Sequence, residues 1–277
     1  MSYGGQSATA PLRRVLVRRP PADCSTWQRD CWRAAPDPAR LAAEHDALCG
    51  ALENAGVEVV LAAPTTLDAI YVYDPALMTD AGVVLLRPGK ADRRPEVDQL
   101  AAELDRAAVP IAARLEEPAL AEGGDFFWLD PHTLCAGRGY RTSSDGIWTL
   151  ERLLGVEMLV FDLPHFRGPA SCLHLLSLLS PLADDLAVAY PPLLPVRLAQ
   201  LLGERGIRIV EVPDEEFEAL GPNALALAPR VALLPAHNVA TRRRLESAGV
   251  EVLVYRAEEL SKGEGGPTCL TLPLLRR

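Results

Sequence analysis

Lysine is nearly missing from this sequence: of 28 basic residues only Lys90 and Lys262 are lysines, the rest being arginine. Beside so much Ala, Leu and Pro, that bias reads as GC-rich coding without mechanistic weight. Paired thiols are missing too. Cys24, Cys31, Cys49, Cys135, Cys172 and Cys269 include no Cys-x-x-Cys, and there is no His-Glu-x-x-His, so the common zinc motifs are excluded. In a reducing compartment six free thiols are expected, most of them small buried hydrophobes and one or two reactive. No apolar run reaches the roughly 18 residues of a membrane helix. The opening MSYGGQSATAP lacks the basic and apolar regions of a secretory signal. The expectation is a cytoplasmic protein with no membrane partner. Positive charge is in deficit, with a net charge of −9 and scattered basic residues, which argues against nucleic acid as a partner. GRGYRT lacks the third glycine of a dinucleotide loop, and GEGGPT lacks the Gly-Lys-Ser/Thr of a phosphate loop. Neither a cofactor nor a metal is expected.

What is present is repetition. Five segments run from helical apolar spacing through a small residue into a β-branched strand. They are HDALCGALENAGVEVVL, VDQLAAELDRAAVPIAARL, GIWTLERLLGVEMLVFDL, VRLAQLLGERGIRIVEV and TRRRLESAGVEVLVY. The junctions are Gly56, Ala108, Gly155, Gly206 and Gly249, at steps of 52, 47, 51 and 43 residues. Another strand precedes each helix, and a further short segment links one repeat to the next. The unit is therefore strand–strand–helix–strand, about 50 residues long, and five of them predict a closed α/β ring around a central channel. An ordinary doubly wound sheet is the competing architecture, and the nearly even spacing favours the ring. Residues 1–11 are expected to form a flexible N-terminal segment, and residues 12–277 a single five-repeat domain.

A quasi-symmetric ring brings equivalent positions of its repeats together. Seventeen to twenty residues past each junction stand Asp74, Asp125, His174, Asn223 and Cys269, and Glu122 lies three residues before Asp125. Carboxylates, an imidazole, an amide and a thiol in one place are the materials of a nucleophilic site. Taken alone, His174 would more often be a hydrogen-bonded core histidine and Cys269 a packing thiol. The Gly-rich stretch before Cys269 is a loop feeding a strand, a setting that exposes a thiol.

DAIYVYDPA (68–76), RPGKADRRPE (87–96), EGGD (122–125), RGYRT (138–142), LHL (173–175) and GGPTCLTL (265–272), in this order, resemble the pentein superfamily, specifically dimethylarginine dimethylaminohydrolases and their arginine-modifying relatives. The resemblance covers essentially the whole chain. It implies a five-bladed α/β propeller with its active site in the channel and hydrolysis at a guanidinium carbon. By motif matching it implies Cys269 as nucleophile, His174 as general acid and base, and Glu122 as the carboxylate that orients the histidine. It places Asp74 on the guanidinium nitrogens, Arg93 and Arg141 on the carboxylate of a guanidino amino acid, and Asp68, Tyr71 and Asp125 among the substrate-binding residues.

The chemistry fits those residue types. A guanidinium is cationic and resonance-stabilised, so it demands an ionised thiol, which a neighbouring cation stabilises. The leaving amine needs a proton, and an imidazole supplies it. Paired arginines suit a carboxylate because each guanidinium fork binds it bidentately.

The sequence also departs from the family pattern. Arginine deiminases and amidinotransferases carry an aspartate two residues beyond the histidine, where this chain has Leu176. An apolar residue there removes an ionic contact and favours an N-methylated arginine. Tyr71 stands where phenylalanine is frequent, and Ser143 where asparagine is usual. Residues 18–31 match the family's mobile lid in place but little in sequence. The leading expectation is therefore conversion of methylated arginine to citrulline and an alkylamine by a monomer or homodimer. The alternatives are an arginine deiminase, then an amidinotransferase or a non-catalytic amino-acid sensor.

Overall fold

A computed structural model describes residues 2–169, 171 and 173–277. Cys172, read from sequence as structural, lies outside the described residues. The chain opens with β1 (Leu12–Arg18), α1 (Pro38–Asn54) and β2 (Glu58–Ala62). The second blade is β3 (Ala76–Thr79), β4 (Gly82–Leu85), α2 (Glu96–Arg106) and β5 (Ile111–Arg114). The third is β6 (Phe126–Asp130), β7 (Thr133–Arg138), α3 (Ser144–Leu154) and β8 (Glu157–Asp162). The fourth is β9 (Leu179–Ala183), β10 (Leu186–Ala189), α4 (Val196–Glu204) and β11 (Arg208–Glu211), followed by the single turn α5 (Asp214–Phe217). The fifth is β12 (Leu225–Ala228), β13 (Val231–Pro235), α6 (Val239–Ser247) and β14 (Glu251–Tyr255). The last strand, β15 (Leu272–Arg276), pairs antiparallel with β1 and so completes the first blade with residues from the other end of the chain.

Each sheet has three strands, with a central strand antiparallel to the first and parallel to the third. The parallel pairing forces a helical crossover, which explains one helix per repeat. Inner strands such as β3 and β12 are almost wholly buried, whereas β2, β5 and β14 are half exposed, so the third strands form the outer rim. The core is divided accordingly: Leu100 and Leu104 of α2 pack with Val83 and Leu85, and Leu198 and Leu202 of α4 pack with Ala187 and Ala189. The architecture is the closed ring that the repeats predicted and the five-bladed α/β propeller that the resemblance implied.

All five junction residues adopt a left-handed backbone, with φ of 79° at Gly56, 55° at Ala108, 63° at Gly155, 69° at Gly206 and 83° at Gly249. That conformation ends each helix and turns the chain into its outer strand. Ala108 meets the same geometric demand with a Cβ in place.

The N-terminal segment, expected as a flexible tail, makes defined contacts with the blades. Gly4 bridges Leu275, Gly5 N–H donates to Asp80 Oδ1 at 2.8 Å, and Gln6 Nε2 donates to Pro131 O at 2.7 Å. Thr9 is buried, and Arg276 Nη1 donates to Ala10 O at 2.7 Å. The segment is held by hydrogen bonds to three different blades, each using at least one backbone group, a form of order that hydrophobicity does not reveal.

Candidate active site

Asp74, Glu122, His174, Asn223 and Cys269 all lie just before the first strand of a blade, so the ring gathers them at one end of the channel. Short 3₁₀ turns at Asp68–Ile70, Gly123–Asp125 and Leu175–Ser177 aim the side chains. Eight of the nine residues assigned from sequence line one cavity that opens to solvent: Cys269, His174, Glu122, Asp74, Asp68, Tyr71, Arg93 and Arg141. The cavity is set in a buried polar wall.

His174 is its centre. Nε2 lies 2.7 Å from Glu122 Oε2, and Nδ1 lies 3.8 Å from Asp74 Oδ1. Gly124 permits this approach, because a Cβ there would meet Nδ1 at 2.5 Å. His174 N–H donates to Ser177 Oγ at 3.1 Å, which fixes the turn beneath the ring. Burial by itself would raise the Glu122 pKa. The hydrogen bond from His174, followed by the charges of His174, Arg141 and Arg93, overcomes this and holds the carboxyl below its ordinary range. Glu122 is thus an ionised partner for an imidazolium. Asp74, Glu122 and His174 also place ligand atoms within 4.8 Å of one another, the one such cluster among the described residues. Arg93 and Arg141 contribute positive charge at the same place.

Cys269 sits partly exposed at the entrance to β15. Asn223 Nδ2 donates to its Sγ at 3.4 Å, while Asn223 Oδ1 accepts from Thr268 N at 3.1 Å. Asn223 was visible in the repeat alignment but was not assigned to the site. Its amide is matched to the thiol only through a contact 46 residues away in sequence.

One assigned residue lies outside the cavity, and another lines it while holding partners within the protein. Asp125, expected to bind substrate, does not line the cavity. It is fully buried, accepting from Leu175 N at 3.0 Å and from Thr142 Oγ1 at 2.6 Å. Burial raises its pKa to about 7. Its contacts make it a support for the His174 turn. Arg93, expected as half of a carboxylate clamp, is engaged from within the protein. Nη1 meets Asp74 Oδ2 at 2.5 Å, and Nε and Nη2 meet Glu96 Oε2 at 3.0 and 2.9 Å. Burial opposes its charge, but Glu96, Asp74, Asp68 and Glu122 outweigh that and raise its pKa further.

Tyr71 is buried in the wall, its hydroxyl donating to Leu260 O at 3.1 Å and its ring 6.0 Å from that of Trp32. Trp32 belongs to the stretch running from β1 to α1. Its Nε1 donates to Asp68 Oδ1 at 2.9 Å, so this stretch lies over the cavity. The two lysines, set aside at the sequence level, both hold it. Lys90 Nζ donates to Asp30 O at 2.9 Å, and Lys262 Nζ to Ala35 O at 3.1 Å. Leu176 is buried and lines a separate apolar cavity with Tyr73 and Trp128, so its position brings no carboxylate to the site.

The fold is that of the pentein superfamily of guanidino-group-modifying enzymes, and the chain is similar in sequence to members of that class. A family model described as arginine deiminase matches residues 182–276. Over 263 residues the chain is 25% identical to N(G),N(G)-dimethylarginine dimethylaminohydrolase of Pseudomonas aeruginosa, covering 94% of this chain and 99% of that one. It is 30% identical over 191 residues to arginine deiminase of Rhodococcus opacus, but spans only 47% of that protein's length. Among solved structures, dimethylarginine dimethylaminohydrolase in an adduct with S-methyl-L-thiocitrulline superposes with a TM-score of 0.78 at 23% identity, covering 94% of this chain and 99% of that one. The N-terminal domain of ArgZ, a cyanobacterial arginine dihydrolase, superposes with a TM-score of 0.83 at 20% identity, covering 95% of this chain and 97% of that one. No helix among the described residues is long and apolar enough to cross a membrane.

Proposed function

We propose that the chain hydrolyses the guanidinium carbon of an N-methylated arginine, giving citrulline and an alkylamine. The supporting observation is the 2.7 Å contact between His174 Nε2 and Glu122, inside the cavity that Cys269 enters. The Cys269 thiolate attacks the guanidinium carbon and forms a C–S bond. His174, as imidazolium, gives its proton to the departing amine as the C–N bond breaks, leaving an S-alkylthiouronium on Cys269. His174 then takes a proton from water, the resulting hydroxide adds to the same carbon, and the C–S bond breaks as the new hydroxyl gives up its proton to solvent, releasing citrulline and the thiolate. The balance is methylarginine, as its guanidinium cation, plus water to citrulline plus an alkylammonium ion. Glu122 stabilises the imidazolium, and Asp74 the cationic substrate. Leu176 supports the methylated substrate, because no acid stands at that position to bind an unsubstituted nitrogen.

The second reading is an arginine deiminase, favoured by the family model over residues 182–276. The two are separated by assaying citrulline, alkylamine and ammonia from arginine and its Nω-methyl derivatives. The expected result is at least about tenfold higher kcat/KM for a methylated substrate, equivalent to about 1.4 kcal/mol in the transition state. Preference for plain arginine makes the protein a deiminase. Absence of citrulline from every substrate rejects hydrolysis at this site.

A further inference from the structure

We propose that a second cavity, deeper in the channel, binds a small monocarboxylate, its charge on Arg276 and its hydrocarbon part against the apolar wall. The proposal goes beyond the hydrolase reading and does not depend on it.

This cavity lies on the axis of the ring. The inner strands of all five blades wall it, through residues of β3, β6, β9, β12 and β15. Tyr73, Leu176 and Thr268 form its boundary with the active site, each within two residues of Asp74, His174 or Cys269. The N-terminal segment forms another side. Gly5, Ser7 and Ala8 line it, and a Cβ on Gly5 would meet Arg276 Cβ at 2.8 Å. The volume is about 60 Å³. That is room for about four to six waters, or for as many non-hydrogen atoms of a ligand.

The charge in this cavity has no acidic side chain to match it. No Asp or Glu lines the wall. Arg276 is 7% exposed, and it donates from Nη1 to Ala10 O at 2.7 Å and from Nη2 to Ala226 O at 2.8 Å. Those carbonyls take two of the five guanidinium N–H groups and carry no net charge. The other two buried arginines are compensated. Arg93 holds Asp74 and Glu96, and Arg18 lies in the field of Glu103 and Glu96. Burial lowers the Arg276 pKa to about 10, with Tyr73 opposing it, so the group is still cationic at neutral pH. A buried cation without an anionic partner is costly. A ligand carboxylate supplies that partner in the geometry a guanidinium fork accepts.

Tyr73 adds a donor. Its hydroxyl has no hydrogen-bond partner among the described residues. Burial pushes its pKa up to about 12, so it keeps its proton at neutral pH. Other polar groups of the wall are spent within the protein: Trp128 Nε1 on Met78 O, Ser180 Oγ on Pro222 O and Thr268 Oγ1 on Ala224 O. An apolar pocket with a few convergent polar groups is the usual form of a small-molecule site. Here the polar groups are a cation and a phenol, which select an anion, and the remaining wall favours one with a short hydrocarbon body.

The test follows binding of butyrate to the full chain by ligand-observed NMR, with uncharged butyramide of nearly equal size as the control. Butyrate should bind with a dissociation constant of about 1 mM or tighter. Butyramide should bind at least about tenfold more weakly, the size of a lost charge-assisted hydrogen bond. Arg276→Gln should weaken butyrate by about tenfold or more and change butyramide by less than about twofold. A buried-arginine variant can fail to fold, so Ala8→Leu is measured beside it. This change fills the cavity, leaves Arg276 in place and should abolish butyrate binding. Arg141→Ala should leave butyrate binding unchanged, because that residue lines the other cavity. Equal affinity for butyrate and butyramide overturns the proposal, as does butyrate binding that survives Ala8→Leu or is lost in Arg141→Ala. Absence of butyrate binding also overturns it, even if chloride binds, since an inorganic ion makes no use of the apolar wall.

Discussion

Asn223 and Cys269 belong to different blades, yet the amide Nδ2 of the first donates to the sulfur of the second at 3.4 Å. A donor aimed at sulfur favours the thiolate over the thiol. Asn223→Ala should therefore slow alkylation of Cys269 by iodoacetamide at neutral pH by about tenfold and move the rate profile to higher pH. An unchanged profile in a folded variant would assign Asn223 only to the loop, through Thr268.

Arg93 and Arg141 should respond differently to removal. Arg93→Ala leaves Asp74 and Glu96 buried without their cation, so urea denaturation should show a loss of about 3–5 kcal/mol. Arg141 is more exposed, its side chain at 13% against 6% for Arg93, and its Nη1 lies 3.5 Å from Glu122 Oε1. Arg141→Ala should keep most of the stability and raise KM for a carboxylate-bearing substrate more than for one without it. Similar stability losses in both variants would contradict the contrast.

Asp125 gives a pH signature. Burial moves its pKa from 3.8 to about 7, so between those values the native chain holds a proton that the unfolded chain has released. Its contribution to stability is complete below the unfolded value and is lost as pH rises through about 7. The difference in stability between the wild type and Asp125→Asn should accordingly shift against the wild type from pH 4 to pH 7 and then level off. A pH-independent difference would mean that Asp125 is ionised throughout.

Ala108 is the one junction residue with a side chain, at φ 55°. Left-handed backbone costs an L-residue about 1–2 kcal/mol, against roughly 0.4–1 for the extra freedom glycine gives the unfolded chain. Ala108→Gly should raise stability by several tenths of a kcal/mol or more, measured by chemical denaturation. Destabilisation would show that the Ala108 methyl contributes packing that exceeds the strain.

Periodicity along the chain determined the blades, the helix ends and the ring, because helices and strands are set by residues a few positions apart. The repeat register also brought Asp74, His174 and Cys269 to equivalent places, and these line one cavity. Tertiary structure decided which groups face that cavity and which are consumed behind it. Arg93 is bound by Asp74 and Glu96, Asp125 turns towards Thr142 and Leu175, and Lys90 reaches Asp68 and Asp30. Residues 2–11 are tied down by Leu275, Asp80 and Pro131. Most of these partners stand tens to hundreds of positions away in sequence. Residue type sets what a polar group can bind, but the partner it takes depends on which groups the closed ring brings within hydrogen-bonding distance.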